Sequence, residues 1–271
     1  MHVITVANRK GGVGKSSVTT HLAAALGIRG ARVLVVDMDS QASTTAMLLE
    51  RSDDDAPTTT QVLLGEARLA DIIQPSCSAG VAIAPACGGL TRAQFAIATR
   101  TGRETILRRA LRDVAGYDVV LVDTAPELQL ATLNALVAAT RVLLPFTPDP
   151  KALEGLRTTC EAVAEIVAAE LAYPRLLGCV QVACDRRLAV TEQAREQVRA
   201  AYGEALLETR IRANSSFIVC PAWHRDIFAM ERQDKQRGRG SRDYLALADE
   251  IAERLALRAG ATTNDAPSAA A

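Results

Sequence analysis

Aromatic side chains are scarce: Phe, Trp and Tyr make up 3% of the 271 residues, so the core must be packed with aliphatic groups, which a hydrophobic content of 49% supplies. Net charge is lacking altogether. The 31 Lys and Arg balance 31 Asp and Glu, which argues against a wholesale polyanion binder. No apolar run approaches the ~20 residues that a membrane-spanning helix needs. The N-terminus enters an apolar, β-branched segment without the pattern of a signal peptide, so a cytoplasmic protein is expected. The six cysteines (Cys77, Cys87, Cys160, Cys179, Cys184 and Cys220) include no Cys-x-x-Cys pair. Cys179 and Cys184 are joined by no further ligands at zinc-like spacing, so buried free thiols in a reducing compartment are expected. No internal repeat or linker marks a second folded domain. Residues 1–257 are expected to form one domain, and 258–271, rich in Ala, Thr, Ser and Pro, a disordered tail.

What is present is organised around Lys10-Gly11-Gly12-Val13-Gly14-Lys15-Ser16-Ser17. The run before it, 3–7, reads as a buried strand, and 17–26 places Val18, Leu22, Ala25 and Leu26 at helical spacing. Strand, glycine-rich loop, Gly-Lys-Ser and helix form the context of a phosphate-binding loop. Glycines let backbone N–H groups turn inward around phosphate, and the helix N-terminus adds partial positive charge. Lys15 would reach the outer phosphates and the Ser16 hydroxyl would hold Mg²⁺. Two further strands end in carboxylates: 32–36 runs into Asp37-Met38-Asp39-Ser40-Gln41, and 117–122 into Asp123. In a doubly wound sheet such positions lie where ligands bind. Turn and N-cap chemistry before a helix at 44–49 is the plainer reading of Asp37 and Asp39. Asp123 matches the strand-end aspartate that holds Mg²⁺ beside a phosphate loop. Strands also read at 81–85, 142–145, 176–182 and 206–211, and helices at 128–139, from 151, at 189–202 and at 241–257. This alternation implies an α/β fold with a mainly parallel sheet covered by helices on both faces.

The usual pattern has Gly where Arg9 stands, and an extra lysine, Lys10, opens the loop instead. This form resembles the deviant Walker A box of the ParA/MinD group of P-loop ATPases. The run 37–41 is similar to that group's first switch, with Ser40 in place of proline; Ala152-Leu153-Glu154-Gly155-Leu156 and 240–245 are also family-like. The resemblance spans 1–257 and implies ATP and Mg²⁺ as cofactors and a homodimer closed by ATP. Lys10 would reach the partner's nucleotide, Asp39 would position the attacking water, and Ser16 and Asp123 would hold the metal. Residues 10–17 would cradle the phosphates, Lys10, Lys15 and Asp39 would carry catalysis, and Asn214 would stand near the adenine. The resemblance further implies nonspecific binding to nucleoid DNA in the ATP state, and hydrolysis stimulated by a ParB-like or adaptor protein. The result would be positioning of a plasmid, a chromosome or a protein assembly.

Charge is locally uneven. Residues 186–242 carry twelve Lys/Arg against seven Asp/Glu, and 92–112 six Arg against one Glu. Such segregation permits a basic face, with Arg195, Arg199, Arg225, Arg232, Lys235, Arg237, Arg239 and Arg242 as candidate DNA contacts. Glu192 and Glu196 are spaced to pair with Arg195 and Arg199, which makes a solvated, salt-bridged helix the alternative. The match to the family thins over 211–221. A MinD-like membrane-positioning ATPase is the nearest rival, but it would want a basic amphipathic C-terminal helix, and this tail has no apolar anchor after Leu257. An iron–sulfur carrier would want paired cysteines, and a strand beginning at Val3 leaves no room for an N-terminal helix-turn-helix.

Overall fold

Aliphatic, β-branched strands build one sheet around the phosphate-loop strand. The structure, a computed structural model, describes residues 1–50, 56–185, 187–233 and 238–257. The acidic run Asp53-Asp54-Asp55, Lys235, Arg237 and the tail 258–271 lie outside the described residues. The first half runs β1 (His2–Val6), α1 (Lys15–Ile28), β2 (Val33–Met38), α2 (Ser43–Leu48), α3 (Thr59–Leu64), α4 (Leu69–Ile72), β3 (Gln74–Pro75), β4 (Val81–Ala84), α5 (Leu90–Ala96), α6 (Ile106–Ala110) and β5 (Val119–Thr124). It continues through α7 (Leu130–Ala138), β6 (Arg141–Phe146), α8 (Ala152–Ala168), β7 (Arg175–Cys184), α9 (Ala189–Tyr202) and β8 (Leu206–Arg212). Three helices close the described chain: α10 (Ser216–Val219), α11 (Ile227–Gln233) and α12 (Arg239–Arg254).

The strand order is β3-β4-β2-β5-β1-β6-β7-β8, and every pairing is parallel except β3 with β4. Strand alternation sends Val33 and Val35 of β2 into one core and Leu34 and Val36 into the other. On the first face Val18, Leu22 and Leu26 of α1 pack with Tyr244, Leu247 and Ile251 of α12. On the other, α3, α5, α6 and α7 contribute Leu63, Leu90, Leu107 and Ala131, while α8 and α9 add Leu156 and Val198 beside β6. Burial on both faces explains why these strands read as continuous apolar runs.

Gly65, at φ 78°, ends α3 in the left-handed conformation and separates it from α4. Residues 213–233 carry two short α-helices, α10 and α11, whose lengths are below what a 3.6-residue pattern can reveal. Along β8, the Glu250 carboxylate accepts from the N–H groups of Glu208 and Thr209, both at 2.9 Å, and Asp243 from that of Arg212 at 2.9 Å.

The far end of α1 is fixed by a close backbone approach. A Cβ at Gly27 would stand 2.3 Å from the carbonyl oxygen of Ala79, in the turn that precedes β4. Gly27→Ala should therefore lower stability by about 3 kcal/mol, because neither backbone can yield cheaply. Urea unfolding monitored by circular dichroism checks this.

Candidate nucleotide and metal site

The β1–α1 loop lies where the strand order reverses, beyond the carboxyl ends of neighbouring β2, β5 and β1. Register places Val6 beside Asp123, and Asp123 beside Asp37. The three predicted motifs are thus brought to one end of three adjacent strands. Gly12 (φ 74°) and Gly14 (φ 77°) adopt the left-handed backbone that turns the loop, while Val13 is buried and anchors it. Lys15, the first residue of α1, is buried, with Nζ 3.4 Å from the Lys10 carbonyl oxygen. Burial lowers its pKa, and the carboxylates of Asp123, Asp39 and Glu127 act against that loss.

Asp123 is fully buried and accepts a 2.7 Å hydrogen bond from Thr44 Oγ1, with the Ser16 hydroxyl also donating to it. Burial is the main cause that raises its pKa, and the hydroxyls pull it back. Asp37, also fully buried, is raised by burial and by the charge of Asp123. Its carboxylate accepts from the Asp39 N–H (3.0 Å), the Thr45 N–H (2.9 Å) and the Thr45 hydroxyl (2.8 Å). Asp37 braces the turn, and this part of the plainer expectation is what its geometry shows. Asp39 accepts from the Gln41 N–H at 3.0 Å and is 7% exposed, at the mouth of the site.

A magnesium ion fits this donor set. Hydroxyl and carboxylate oxygens are hard ligands, and Mg²⁺ is commonly held by one or two protein oxygens together with phosphate and water. Among the described residues no three His, Cys, Asp or Glu side chains converge as a self-sufficient metal site. The protein's share would be Ser16 and Asp123.

Lys10 does not enter its own loop. Its ammonium pairs with Asp149 at 2.5 Å, half-exposed on the rim. Burial alone would raise the Asp149 carboxyl, but hydrogen bonds from Lys10, Thr147 and the Lys151 N–H hold it below its ordinary value. The loop base is pinned as well: Lys10 N–H donates to Asn8 Oδ1 at 2.8 Å, Asn8 Nδ2 to the Pro145 carbonyl at 2.8 Å, and Arg9 N–H to Thr159 Oγ1 at 3.1 Å. Gly155 of α8 lies beneath, where a Cβ would meet Asn8 Oδ1 at 2.6 Å and Lys10 Cβ at 3.1 Å. The Ala-Leu-Glu-Gly-Leu run thus needs its glycine to seat Lys10.

Beside the loop a cavity of about 660 Å³ is walled by Gly14, Val182, Ile211, Asn214, Phe217 and Tyr244, among others. Asn214 lines it with both polar ends already engaged. Its Nδ2 donates to Glu231 Oε1 at 3.0 Å and its Oδ1 accepts from the Ser216 N–H at 2.9 Å. The other bonds of Glu231 go to the first N–H groups of α12, those of Gly240 and Ser241.

The proposed basic face needs one correction. Arg195 is buried at 3% exposure, where it donates to the Leu207 carbonyl at 2.9 Å and to Glu208 at 3.1 Å, so it cannot contact DNA. Its side of α9 packs on β8, and the guanidinium satisfies strand carbonyls there. Arg199 pairs with the same Glu208 at 2.9 Å, and Glu192 pairs with Arg210 of β8. Arg232, Arg239 and Arg242 are exposed and Arg225 is half-buried. Sequence reasoning missed Thr44 and Asp149; a threonine five residues past Asp39 and an aspartate in a proline-rich loop carry no distinguishing signal.

A parallel sheet whose central strand feeds a glycine-rich loop, with a buried lysine and a strand-end aspartate beside it, defines a P-loop nucleotide-binding protein. Residues 1–172 match the AAA domain family. The chain is 36% identical over 252 residues to the chromosome-partitioning ATPase Soj of Thermus thermophilus, covering 93% of this chain and 96% of that one. It is 31% identical over 253 residues to the chromosome partitioning protein ParA of Myxococcus xanthus, covering 93% and 88%. Among solved structures it resembles cobyrinic acid a,c-diamide synthase from Mycobacterium smegmatis with bound ATP analog and magnesium. That match has a TM-score of 0.74 at 29% identity, over 87% of this chain and 97% of that one. The chain belongs to the ParA/MinD family of P-loop ATPases.

Proposed function

We propose that this ATPase is an ATP-driven dimer switch. It binds DNA without reading sequence and positions or segregates a cargo under a partner protein that stimulates hydrolysis. The observation that carries the reading is the site of Lys10. Lys15 sits inside its own cradle, whereas Lys10 is held on the rim with Asp149, a geometry that suits a lysine serving the nucleotide of a second copy. Within each subunit the loop amides of residues 11–14, Ser17 and Lys15 would bind the phosphates of ATP, and Ser16 and Asp123 would hold Mg²⁺. When bound, the ion neutralises charge developing on the transferred phosphoryl group. Thr44 keeps the Asp123 carboxylate oriented, Asp39 orients water, and the cavity beside Asn214 would take the base. Exposed Arg232, Arg239 and Arg242 are candidates for phosphate contacts. Relatives named for chromosome partitioning support a cytoplasmic, nucleoid-associated role with a ParB-like or adaptor partner.

Retention on nonspecific duplex DNA, measured with ATP, ADP or no nucleotide across a salt series, tests this. Retention should need ATP and fall at least about tenfold between about 50 and 200 mM salt, as counterion release demands. Lys10→Ala should still bind ATP yet lose the ATP-dependent retention. Equal retention in all nucleotide states would refute the switch, and ATP-dependent binding to anionic vesicles in place of DNA would instead support a MinD-like membrane-positioning role.

A further inference from the structure

The helix that presents Thr44 to Asp123 is too short to hold itself. α2 has six residues, and its N-cap, Ala42, sits at φ 51° with no side-chain cap. Isolated helices of this length do not persist, and their last carbonyls need outside donors. Two segments distant in sequence supply them. The Cys77 N–H donates to the Leu48 carbonyl at 3.0 Å, and His224 Nδ1 lies 2.6 Å from the Ala46 carbonyl oxygen. A carbonyl only accepts, so the His224 proton is on Nδ1. The first turn of α2 is tied to the sheet through Thr44 and Thr45, whereas on the flank of its last turn Ala46 and Leu49 border a cavity of about 510 Å³ with His224 also on its wall. His224 makes its contact from a left-handed backbone, φ 49°, which is uncommon outside glycine and asparagine.

The chain leading to His224 starts at the other cavity, the one beside the phosphate loop. Asn214, Phe217 and Ile218 line that cavity. From there successive turns hold residues 214–224 as one rod: the N–H groups of Phe217, Ile218, Cys220, Trp223 and His224 donate to the carbonyls of Asn214, Ser215, Ser216, Cys220 and Pro221, at 3.1 to 3.3 Å. Cys220 in its middle is fully buried. The rod also rests on α1, since Phe217 stacks on His21 with ring centroids 5.3 Å apart, and just beyond its end the Ile227 N–H of α11 donates to His21 Nδ1 at 3.3 Å.

We propose that residues 214–224 form a strap that carries occupancy of the base cavity to α2, with His224 the positioning residue that holds Thr44, and through it Asp123, in the hydrolytic arrangement. A base seated against Phe217 and Ile218 fixes one end of the strap; the imidazole fixes the α2 carbonyl at the other. The inference rests on that cavity holding the base of ATP.

The test compares hydrolysis of ATP and of inorganic triphosphate, which has phosphates but no base, by the full chain and by His224→Gly. Glycine takes φ +49° without strain, so the variant loses the donor while the fold is spared. Wild type should hydrolyse ATP with a kcat at least about tenfold above that for triphosphate. The variant should lose about five- to tenfold in kcat on ATP, with KM, ADP affinity and kcat on triphosphate changed less than about twofold. A kcat on ATP within about twofold of wild type, or an equal loss on both substrates, overturns the strap. Absence of any preference for ATP in wild type overturns the base-cavity reading itself, and the strap with it.

Discussion

Lys15→Ala is expected to raise the Kd for ATP by about two orders of magnitude, the largest effect of any single substitution in the site. The lysine is buried and desolvated, and its one hydrogen bond is a long 3.4 Å contact to the Lys10 carbonyl. An ammonium in that condition is poorly paid in the empty protein and gains most when phosphate oxygens arrive. Charge-assisted hydrogen bonds of this kind contribute about 1.5–3 kcal/mol each, so the loss of one or two accounts for the change. The same reasoning predicts little effect on the empty fold. Thermal unfolding without nucleotide should move only slightly, while the upward shift that wild type gains from ATP with Mg²⁺ should vanish. A variant that keeps that shift would remove Lys15 from the phosphate site.

Acid should destabilise the protein by about 2 kcal/mol at about pH 5 through one side chain, His21. It is wholly buried, and burial, only partly opposed by Asp226 and Glu231, lowers its pKa from 6.5 to about 4. Its Nδ1 already accepts the Ile227 N–H and its Nε2 has no hydrogen-bond partner among the described residues, so a second proton would have to displace the Ile227 contact, and the two carboxylates do not offset the cost of burying the charge. Because the folded value is depressed, the unfolded chain takes up a proton below about pH 6.5 that the native state refuses. The contribution is intact above that pH and is lost as pH falls toward 4. Urea unfolding at about pH 7.5 and about pH 5 should show His21→Gln losing less stability than wild type by about 2 kcal/mol between the two conditions. Equal losses would mean that the ring is hydrated in the native state.

What the sequence made legible was what it stores locally. The glycine loop, Lys15 and the apolar run ending in Asp123 are contiguous patterns whose physics is contained within ten residues or so, and the α/β alternation with a mainly parallel sheet followed from continuous apolar strands. Contacts between distant segments were not legible. Lys10 meets Asp149, and Ala46 meets His224, across spans that no periodicity describes. Arg195 misled because an arginine on a polar-looking helix carries no mark of burial; only the position of β8 beneath α9 turns it inward. Residues 213–233 were hardest, since helices of four to seven residues repeat too little to show a face.

The two open edges of the sheet bear on how copies of this protein can gather at high local concentration. At one edge β3 is two residues long and ends in Pro75, which has no N–H to offer a neighbour. At the other, several backbone groups of β8 are engaged by side chains of its own chain: Glu250 accepts from the Glu208 and Thr209 N–H groups, Asp243 from that of Arg212, and Arg195 donates to the Leu207 carbonyl. Neither edge offers an unbroken row of free backbone groups for strand addition, the usual route by which crowded sheets run into fibres. Crowding should therefore leave strand-to-strand polymerisation suppressed. A concentrated pool of subunits would stay exchangeable rather than set into aggregates.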